Sequence, residues 1–390
     1  MPSSTLRKQL LGRARRLVVK VGSQLLSAPD GGVDLATMRA IAGQIATLVK
    51  QGYDVTLVSS GAIAVGRQSL GLAKRPKDIA VLQGVAAVGQ TGLMNHWHEA
   101  FAPHNLQVGQ MLLTRGDFED RNRYLNLRNC LTELHALDAV PIINENDAVA
   151  VDEIRLGDND VLAALVTNAL CADLLVLLTV VEGLRDGDGK ALDVVDDIQG
   201  VMALAHKTRS ALGTGGMQTK LEAARMVTGV GEAAVIACGR DENVLPRIVQ
   251  GEPVGTLFVP AKRRLSPRLR WIGHAVRPAG VMVIDDGAAR ALVEGNKSLL
   301  ASGISDVTGR FDKGDVIVVR DSRGREIARG LTNYNADEVR VIMGKRSSQF
   351  EKLLGRRAYD EVIHKDHMAV TGSAEAKAAS DGPEPRATSH

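Results

Sequence analysis

Up to about residue 260, short apolar segments alternate with helical patterns, and this alternation constrains the fold more than any other feature of the chain. The segments RLVVKVG, DVTLVSSG and DLLVLLT are almost entirely apolar, as are strands that are covered on both faces. Between the first two, Asp34 is placed to begin a helix and Gly52 to end it. The alternation predicts an α/β fold, a three-layer sandwich with a largely parallel sheet.

A different pattern follows the basic, proline-containing segment AKRRLSPRLRWIG. Short alternating segments such as GVMVID and DVIVVRD, separated by turn sequences, predict a small C-terminal β-barrel or sandwich. The last residues are small and polar, which is typical of a disordered tail. The predicted organisation is an N-terminal extension with solvated arginines at 1–14, an α/β domain at 15–260, a linker at 261–277, a β-barrel domain at 278–362 and a tail at 363–390.

Composition argues against several classes of protein. The net charge of +3 over 390 residues is too small to indicate nucleic acid as the main partner. Cys130, Cys171 and Cys238 stand far apart without a CxxC pair, so we expect reduced, buried thiols in a cytoplasmic protein rather than a disulfide or a zinc site. The opening residues lack a signal peptide, and the apolar run LLVLLTVV is too short to span a membrane.

Polar residues follow the first two predicted strands. Lys20 and Gly22 end the first strand, and Lys20 taken alone fits a lysine that extends its ammonium group into solvent. Ser59, Ser60 and Gly61 join the second strand to a helix, where they suit either a bound anion or an ordinary helix cap. Because ligands of parallel sheets bind at the carboxyl ends of the strands, both segments are candidate site residues.

The stretch INENDAVAVDEIRLGDNDVLAALV, residues 143–166, is strongly acidic although the whole chain is not. PIINEND is a strand that runs into polar residues, and GDND begins a helix, where one acid is usually a cap. PIINEND and GDND lie on either side of a short connection, and two acidic groups in this arrangement favour a binding site over two separate helix caps. The stretch contains one arginine and six carboxylates, which are Glu145, Asp147, Asp152, Glu153, Asp158 and Asp160.

The segment GTGGMQTK, residues 213–220, opens a predicted helix. Its glycines and threonine can form a cradle of backbone N–H groups, and Lys220 lies in the first turns of the helix, so the segment indicates a phosphate-binding site. The chain contains no Walker A sequence and no GxGxxG after a strand, which argues against a P-loop NTPase and a nicotinamide enzyme.

Together these segments resemble the glutamate 5-kinases, a branch of the amino acid kinase family, from about Arg16 to about Val362. The matching segments are VVKVGSQLL, VSSGAIAVGR, GQMLLTRGDFEDR, PIINENDAV, GDND and LGTGGMQTK. The closing segment GNKSLLASGISDVTGRFDKGDVI resembles a PUA domain, a small β-barrel often associated with RNA. The combination of INENDAV, GDND and GTGGM with a trailing PUA domain is highly specific to this branch.

The resemblance implies phosphorylation of the γ-carboxylate of L-glutamate by ATP with Mg²⁺, the first step of proline biosynthesis, by a cytoplasmic homo-oligomer that proline inhibits. It implies that Asp160 holds two lysines in place and that Asp147 pairs with the substrate ammonium group. The implied catalytic positions are Lys20, Lys220, Asp160 and, with a less defined role, Asp158. The implied substrate positions are Ser60, Asp147 and Asn159. The implied nucleotide positions are Lys20, Thr179, Val180, Thr214, Gly215, Gly216, Met217, Gln218, Thr219 and Lys220. No ligand of Mg²⁺ is assigned.

The chain departs from the family in the loop after Thr179. The family usually has an aspartate directly after this threonine, then a tyrosine and a DPR sequence, whereas this chain has Val180, Arg185 and no DPR. That loop is expected to shape the adenine side of the nucleotide site, so the departure concerns base selectivity and nucleotide affinity. Asp152 and Glu153, by contrast, are expected to face solvent.

Two alternatives stay open at the level of sequence. The first is another amino acid kinase with a different acid substrate. The second is an RNA-binding protein that works through the PUA-like domain and the segment KRRLSPRLR, whose arginines fit a solvated linker equally well. The barrel sequence lacks an obvious aromatic platform for stacking bases, which disfavours RNA binding as the principal function.

Overall fold

The computed structural model describes residues 3–28, 32–149, 158–186, 188–207, 216–262, 264–356 and 359–371. The chain divides into two compact units, and the boundary between them in the sequence lies between Pro267 and Arg268, inside the predicted linker.

The first unit contains an eight-stranded sheet in the part of the chain that the structure describes, with the order β3-β4-β2-β1-β5-β7-β8-β6. Neighbouring strands are parallel except β7 and β8, which are antiparallel. The strands are β1 (Arg16–Val21), β2 (Asp54–Ser59), β3 (Gln107–Leu113), β4 (Ala139–Glu145), β5 (Leu174–Thr179), β6 (Val194–Val195), β7 (Ala233–Cys238) and β8 (Thr256–Phe258). The predicted, largely parallel α/β sheet is confirmed.

Helices cover both faces of this sheet. They are α1 (Ser3–Leu11), α2 (Leu35–Lys50), α3 (Ala62–Ser69), α4 (Ile79–Phe101), α5 (Arg115–Glu119), α6 (Arg121–Ala136), α7 (Asp158–Leu170), α8 (Ile198–Lys207), α9 (Gly216–Thr228) and α10 (Val244–Val249). As predicted, the side chain of Asp34 caps α2 by accepting from the Thr37 amide, and Gly52 follows its end with φ 84°.

Strand β1 is buried against helices on both faces of the sheet. Leu17, Val19 and Val21 of β1 share a buried cluster with residues of α2, α4 and α10. Because side chains alternate along a strand, Val18 points to the opposite face, where α6, α7 and α9 contact β4, β1 and β7. All four of these strand residues are fully or almost fully buried, which explains why the strand sequences are almost continuously apolar.

The N-terminal extension differs from the prediction, because its helix α1 buries an arginine instead of leaving it in solvent. Arg7 is completely buried, and its guanidinium group forms an ion pair of 2.6 Å with Asp193. The same group donates to the carbonyl oxygens of Asp193, Gly255 and Val254 at 2.7, 2.6 and 3.1 Å. α1 is therefore joined to the edge of the sheet that holds β6 and β8.

In its described residues, the second unit contains a five-stranded sheet with the order β10-β9-β11-β12-β13. Its strands are β9 (Gly280–Ile284), β10 (Ile304–Gly309), β11 (Val316–Arg320), β12 (Glu326–Leu331) and β13 (Met368–Val370), and its helices are α11 (Pro267–Arg270), which begins at the boundary, α12 (Asp286–Val293), α13 (Ala336–Ile342) and α14 (Phe350–Leu354). Apolar residues of the strands and helices, among them Ile284, Val319 and Tyr334, form one buried cluster.

The predicted separate C-terminal β domain is confirmed, and its end strands β10 and β13 do not pair with each other in the described residues. Two sequence predictions for this part of the chain need correction. Residues 363–390 are not all tail, because β13 pairs with β12 beyond residue 362. The linker 261–277 contains α11 and a π-helical turn, Trp271–Ala275, in which Arg270 and Ile272 are buried by contacts that the sequence pattern does not reveal.

The cysteines also differ from the prediction. All three are free, but only Cys238 is buried, whereas Cys171 is partly exposed and Cys130 is exposed on α6. Cys130 lies outside the face of α6 that buries Tyr124, Leu127 and Leu131.

Candidate active site

The carboxyl ends of β1, β2, β4 and β5 are adjacent because these strands are parallel neighbours. Backbone hydrogen bonds join the ends: the Ser60 amide donates to the Val21 carbonyl, and the Gly22 amide donates to the Leu178 carbonyl. Gly61 then begins α3 with φ 122°, a conformation that a residue with a Cβ rarely adopts. The polar residues that follow separate strands in the sequence therefore meet at one edge of the sheet.

Two lysines meet one carboxylate at this edge. The Nζ atom of Lys20 lies 2.8 Å from Oδ1 of Asp160, and the Nζ atom of Lys220 lies 2.9 Å from Oδ2. Asp160 is 1% exposed, Lys20 5% and Lys220 9%, so all three charges are almost removed from water. The reading of Lys20 as a lysine that reaches solvent is wrong.

Burial and charge oppose each other in this triad of Lys20, Asp160 and Lys220. Burial is the largest influence on Lys20 and lowers the pKa of its ammonium group, because a charged group loses hydration; Asp160 partly offsets this and Lys220 adds to it. For Asp160, burial by itself would raise the pKa, but the charges and hydrogen bonds of the two lysines together outweigh it and hold the pKa below its usual value. Asp160 is therefore ionised at neutral pH.

A chain of polar side chains lies next to the triad. Nδ2 of Asn159 donates to Oγ of Ser60 and to Oδ1 of Asn144, both at 2.9 Å. Nδ2 of Asn144 in turn donates to Oε1 of Gln90 at 2.8 Å. Oδ1 of Asn159 and Nε2 of Gln90 are buried and have no hydrogen-bond partner in the described residues. This amide chain of Ser60, Asn159, Asn144 and Gln90 can thus offer polar atoms to a ligand.

The first turn of α7 joins the two groups, because Asn159 and Asp160 are consecutive. Asn159 belongs to the amide chain and Asp160 to the triad. The side chain of Asp158, and residues Asp152 and Glu153, lie outside the described residues, so their predicted roles stay predictions. One short segment of the acidic stretch thereby connects the amide chain to the triad.

Asp147 lies in the turn after β4, half-buried. Burial raises the pKa of its carboxyl group, and the positive charge of Arg75 acts in the opposite direction. A carboxylate whose ionised form burial disfavours gains stabilisation from a cation that comes next to it. This environment suits the predicted partner of a substrate ammonium group.

The start of α9 holds the residues of the predicted nucleotide segment that the structure describes. Gly216, Met217, Gln218, Thr219 and Lys220 form its first turn and a half, whereas Thr214 and Gly215 lie outside the described residues. Oγ1 of Thr219 donates to Oδ2 of Asp160 at 2.7 Å, and Nζ of Lys220 donates to the Gly216 carbonyl at 3.2 Å. The segment is therefore tied directly to the triad.

The other predicted nucleotide residues, Thr179 and Val180, lie at the end of β5 and directly after it. Thr179 is its last residue, and its carbonyl accepts from the Gly239 amide at 2.9 Å, which joins the ends of β5 and β7. Val180, at the position where the family has an aspartate, is 36% exposed. An apolar side chain that is open to water cannot form the charged hydrogen bonds of a carboxylate at this place.

Sequence reasoning missed three residues that support the site. Asn144 follows the apolar part of β4 and was signalled by the polar ending of PIINEND. Gln90 and Trp97 lie inside α4, where no motif marks them; Nε1 of Trp97 donates to Oγ of Ser59 at 2.8 Å. α4 therefore supports residues at the ends of both β2 and β4.

The described residues contain no group of three or more His, Cys, Asp or Glu side chains arranged to hold a metal ion. Asp160 already interacts with two ammonium groups, which does not fit a residue that ligates a resident cation. None of the helices in the described ranges combines the length and apolarity that crossing a membrane requires.

The sequence matches the amino acid kinase family over residues 15–238 and the PUA domain over residues 280–354. The chain therefore belongs to the amino acid kinase family. Glutamate 5-kinase of Geobacter sp. (strain M21) is 45% identical to it over 372 residues, which cover 94% of this chain and 100% of that one. Glutamate 5-kinase of Caldanaerobacter subterraneus subsp. tengcongensis is 44% identical over 362 residues, 91% of this chain and 97% of that one. These relatives, which this chain matches over almost their full length, are glutamate 5-kinases.

A solved structure supports the fold alone. N-acetylglutamate synthase from Neisseria gonorrhoeae, complexed with coenzyme A and N-acetyl-glutamate, gives a TM-score of 0.50 at 16% identity. The match covers 66% of this chain and 62% of that one, so this chain spans less than two thirds of that protein.

Proposed function

We propose that the protein is a cytoplasmic enzyme that transfers a phosphoryl group from ATP to the γ-carboxylate of L-glutamate, giving L-glutamyl 5-phosphate, the first step of proline biosynthesis. The observation that carries the proposal is the first turn of α7, where Asn159 joins the amide chain and Asp160 joins two buried lysines. One helix start thus places a candidate amino-acid site beside a candidate phosphoryl site. The similarity to glutamate 5-kinases along the whole chain supports glutamate as the acid.

The triad meets the main requirement of this reaction. A carboxylate and a triphosphate are both anionic, so catalysis depends on positioning and positive charge more than on covalent chemistry. Lys20 and Lys220 are held in place by Asp160, and their two positive charges exceed its single negative charge. In a buried site this surplus stabilises the charge that spreads over the transferred phosphoryl group.

The reaction needs no general base, because the γ-carboxylate of glutamate is already ionised at neutral pH. One of its oxygens forms a bond to the γ-phosphorus as the bond from that phosphorus to the β,γ-bridging oxygen breaks, and ADP leaves with the electron pair. No proton has to move in this step. Asp160, which is ionised and paired with two lysines, therefore positions lysines and does not act as a base.

The amide chain and Asp147 carry polar groups that can pair with the α-ammonium and α-carboxylate groups of the amino acid. Oδ1 of Asn159 is an acceptor without a partner in the described residues, and Asp147 is a half-buried carboxylate, so both suit an α-ammonium group. The hydroxyl hydrogen of Ser60 can donate to the α-carboxylate, because its oxygen already accepts from Asn159. Ser60, Asp147 and Asn159 are thus the proposed substrate residues.

ATP is proposed to bind along the start of α9 and the end of β5, at Lys20, Lys220 and the described residues 216–219 and 179–180. Mg²⁺ is proposed to enter bound to the phosphates of ATP, as part of the substrate, because no described group of side chains is arranged to hold it. The magnesium ion supplies further positive charge to the phosphates. The exposed Val180 leaves the adenine side without the carboxylate typical of the family.

Trapping of the acyl phosphate by hydroxylamine tests the proposed activity. We expect hydroxamate formation with L-glutamate and ATP, and a rate at least about tenfold lower with aspartate, whose side chain is one methylene shorter, or with N-acetylglutamate, which has no ammonium group. A preference for aspartate or N-acetylglutamate would instead identify another amino acid kinase. Lys220→Ala should abolish most turnover, whereas Lys50→Ala, at the exposed end of α2, removes the same charge without effect.

Inhibition by proline, homo-oligomerisation and RNA binding are further proposals that rest on the family resemblance. Proline is tested by titration in the hydroxamate assay, and the oligomeric state by light scattering of the purified chain. RNA binding is tested by filter binding at several salt concentrations, because contacts to phosphates give a steep dependence on salt.

A further inference from the structure

Thr219 lies in the first turn of α9, directly before Lys220, and is partly exposed. Its hydroxyl oxygen, Oγ1, lies 2.7 Å from Oδ2 of Asp160 and 3.1 Å from the Gly216 carbonyl oxygen. A hydroxyl group has one hydrogen, so it donates to one of these two acceptors at a time. The carboxylate is nearer and is ionised, and ionised acceptors form the stronger hydrogen bonds, so Thr219 donates to Asp160.

Lys220 shares both acceptors with Thr219. Its Nζ atom lies 2.9 Å from Oδ2 of Asp160 and 3.2 Å from the Gly216 carbonyl oxygen. An ammonium group has three hydrogens, so these two contacts leave one hydrogen for a ligand. In the described residues, Oδ2 of Asp160 thus has two side-chain donors, Thr219 and Lys220, whereas Oδ1 lies 2.8 Å from Lys20.

The proposed reaction requires a contact of Lys220 that strengthens during the transfer. As the phosphoryl group leaves ATP, negative charge spreads over its oxygens and attracts the ammonium group of Lys220. Asp160 is 1% exposed, so water has little access to Oδ2 when Lys220 turns away from it. A buried carboxylate oxygen that loses its only donor is destabilised, and this loss would add to the barrier of the transfer step.

The hydroxyl group of Thr219 avoids this loss, because it is a second donor to the same oxygen. A threonine side chain has few allowed rotamers in a helix, so its hydroxyl group stays close to Oδ2. The side chain of Lys220 is long and flexible by comparison, so its ammonium group can move while the backbone of α9 stays in place. Oδ2 therefore keeps a donor throughout the transfer.

We propose that Thr219 is a positioning residue for the transfer step: its hydroxyl group holds Oδ2 of Asp160, so that Lys220 can turn towards the transferred phosphoryl group. The inference rests on the proposed phosphoryl transfer but not on the identity of the acid substrate. It gives the side chain of Thr219 a role other than contact with the nucleotide, while the backbone of Thr219 remains part of the proposed nucleotide segment.

Thr219→Val and Thr219→Ser separate the hydroxyl group from the shape of the side chain. Valine keeps the volume and the branching but has no hydroxyl group, so Thr219→Val should lower turnover about tenfold, as loss of one hydrogen bond to a charged group predicts. The loss arises only when Lys220 turns during the transfer, so the Michaelis constant for ATP should stay within about threefold. Serine retains the hydroxyl group, so Thr219→Ser should keep turnover within about threefold of the parent value.

Two further variants serve as controls. Thr132→Val makes the same change at an exposed position of α6, where the hydroxyl group donates only to the Arg128 carbonyl, and should alter neither turnover nor the Michaelis constant for ATP. Thr219→Ala, compared with Thr219→Ser, differs by the hydroxyl group alone and places a strong helix former in α9. Circular dichroism shows whether each variant is folded, and this second pair decides if Thr219→Val does not fold.

Turnover and the Michaelis constant for ATP are measured by hydroxamate formation at a saturating concentration of the acid. A hydroxyl group that contacts the nucleotide predicts that the Michaelis constant for ATP rises more than turnover falls, and this result overturns the inference. Turnover of Thr219→Val at the parent value also overturns it, as does Thr219→Ser with turnover as low as that of Thr219→Val. A parent chain that prefers another acid refutes glutamate as the substrate, but the role of Thr219 is then tested with that acid.

Discussion

Asp160→Asn tests the proposed arrangement of charge most directly. Asparagine keeps the shape of the side chain but removes the negative charge that lies 2.8 Å from Lys20 and 2.9 Å from Lys220. Two ammonium groups then remain buried beside each other. Loss of one partner from a buried ion pair typically costs about 3–5 kcal/mol, so we expect the free energy of unfolding to fall by about this amount. Domains are commonly stable by about 5–15 kcal/mol, so the variant should still fold.

The same change should alter the pH dependence of turnover. In the parent protein, burial and the charge of Lys220 lower the pKa of Lys20, and Asp160 raises it. Without Asp160 the raising influence is lost, so the pKa of Lys20 falls further and its ammonium group loses its proton at a lower pH. The alkaline limb of the turnover profile, where Lys20 is deprotonated, should therefore move to lower pH. At neutral pH we expect turnover to fall on the order of a hundredfold.

The experiment combines two measurements on the folded variant. Urea unfolding gives the change in stability, and hydroxamate formation between about pH 6 and pH 10 gives the turnover profile. Asp188→Asn removes one negative charge from an exposed position and serves as the control. If Asp160→Asn kept both the turnover and the alkaline limb of the parent protein, Lys20 would not depend on Asp160, and the proposed catalytic role of the triad would be wrong.

Asp147→Ala should raise the Michaelis constant for glutamate about thirtyfold or more and leave that for ATP unchanged, because loss of a partner from a charge pair costs roughly 2–5 kcal/mol; an unchanged constant for glutamate would contradict the ammonium-binding role. Val180→Asp should change the Michaelis constant for ATP more than that for glutamate, as steady-state kinetics with each substrate varied will show. Arg7→Ala, which removes the bonds to Asp193 and several carbonyl oxygens, should lower stability to urea by about 2–4 kcal/mol. The exposed Arg13→Ala should change stability by less than about 0.5 kcal/mol.

The features that sequence predicts correctly are those with a local cause. Asp34 and Gly52 mark the ends of α2 because capping depends on residues within one turn. The meeting of Lys20 and Asp160 could also be expected, because the carboxyl ends of parallel strands share one edge, and the recognised motifs name both residues. The order of strands in the sheet, in which β1 lies between β2 and β5, determines which strand ends are neighbours.

The features that escape prediction depend on pairings between distant residues. Arg7 was expected in solvent, yet it is buried because the Asp193 carboxylate and four carbonyl oxygens surround it, 186 or more residues away in the chain. Gln90 pairs with Asn144 over 54 residues, and neither the composition nor the period of α4 indicates which of its polar residues faces the site. β13 is similar: three residues of unremarkable sequence become a strand because β12 offers an open edge.

The acidic stretch acquires its meaning from these distant pairings. In an ordinary surface segment, six carboxylates against one arginine would repel one another and face water. Here Asp160 is instead buried between two lysines that come from residues 20 and 220, and Asp147 lies half-buried near the charge of Arg75. A buried carboxylate is stable only with cations beside it. Asp160 has two within the protein, whereas burial still disfavours the ionised form of Asp147, so we propose the ammonium group of an amino acid as the partner of Asp147.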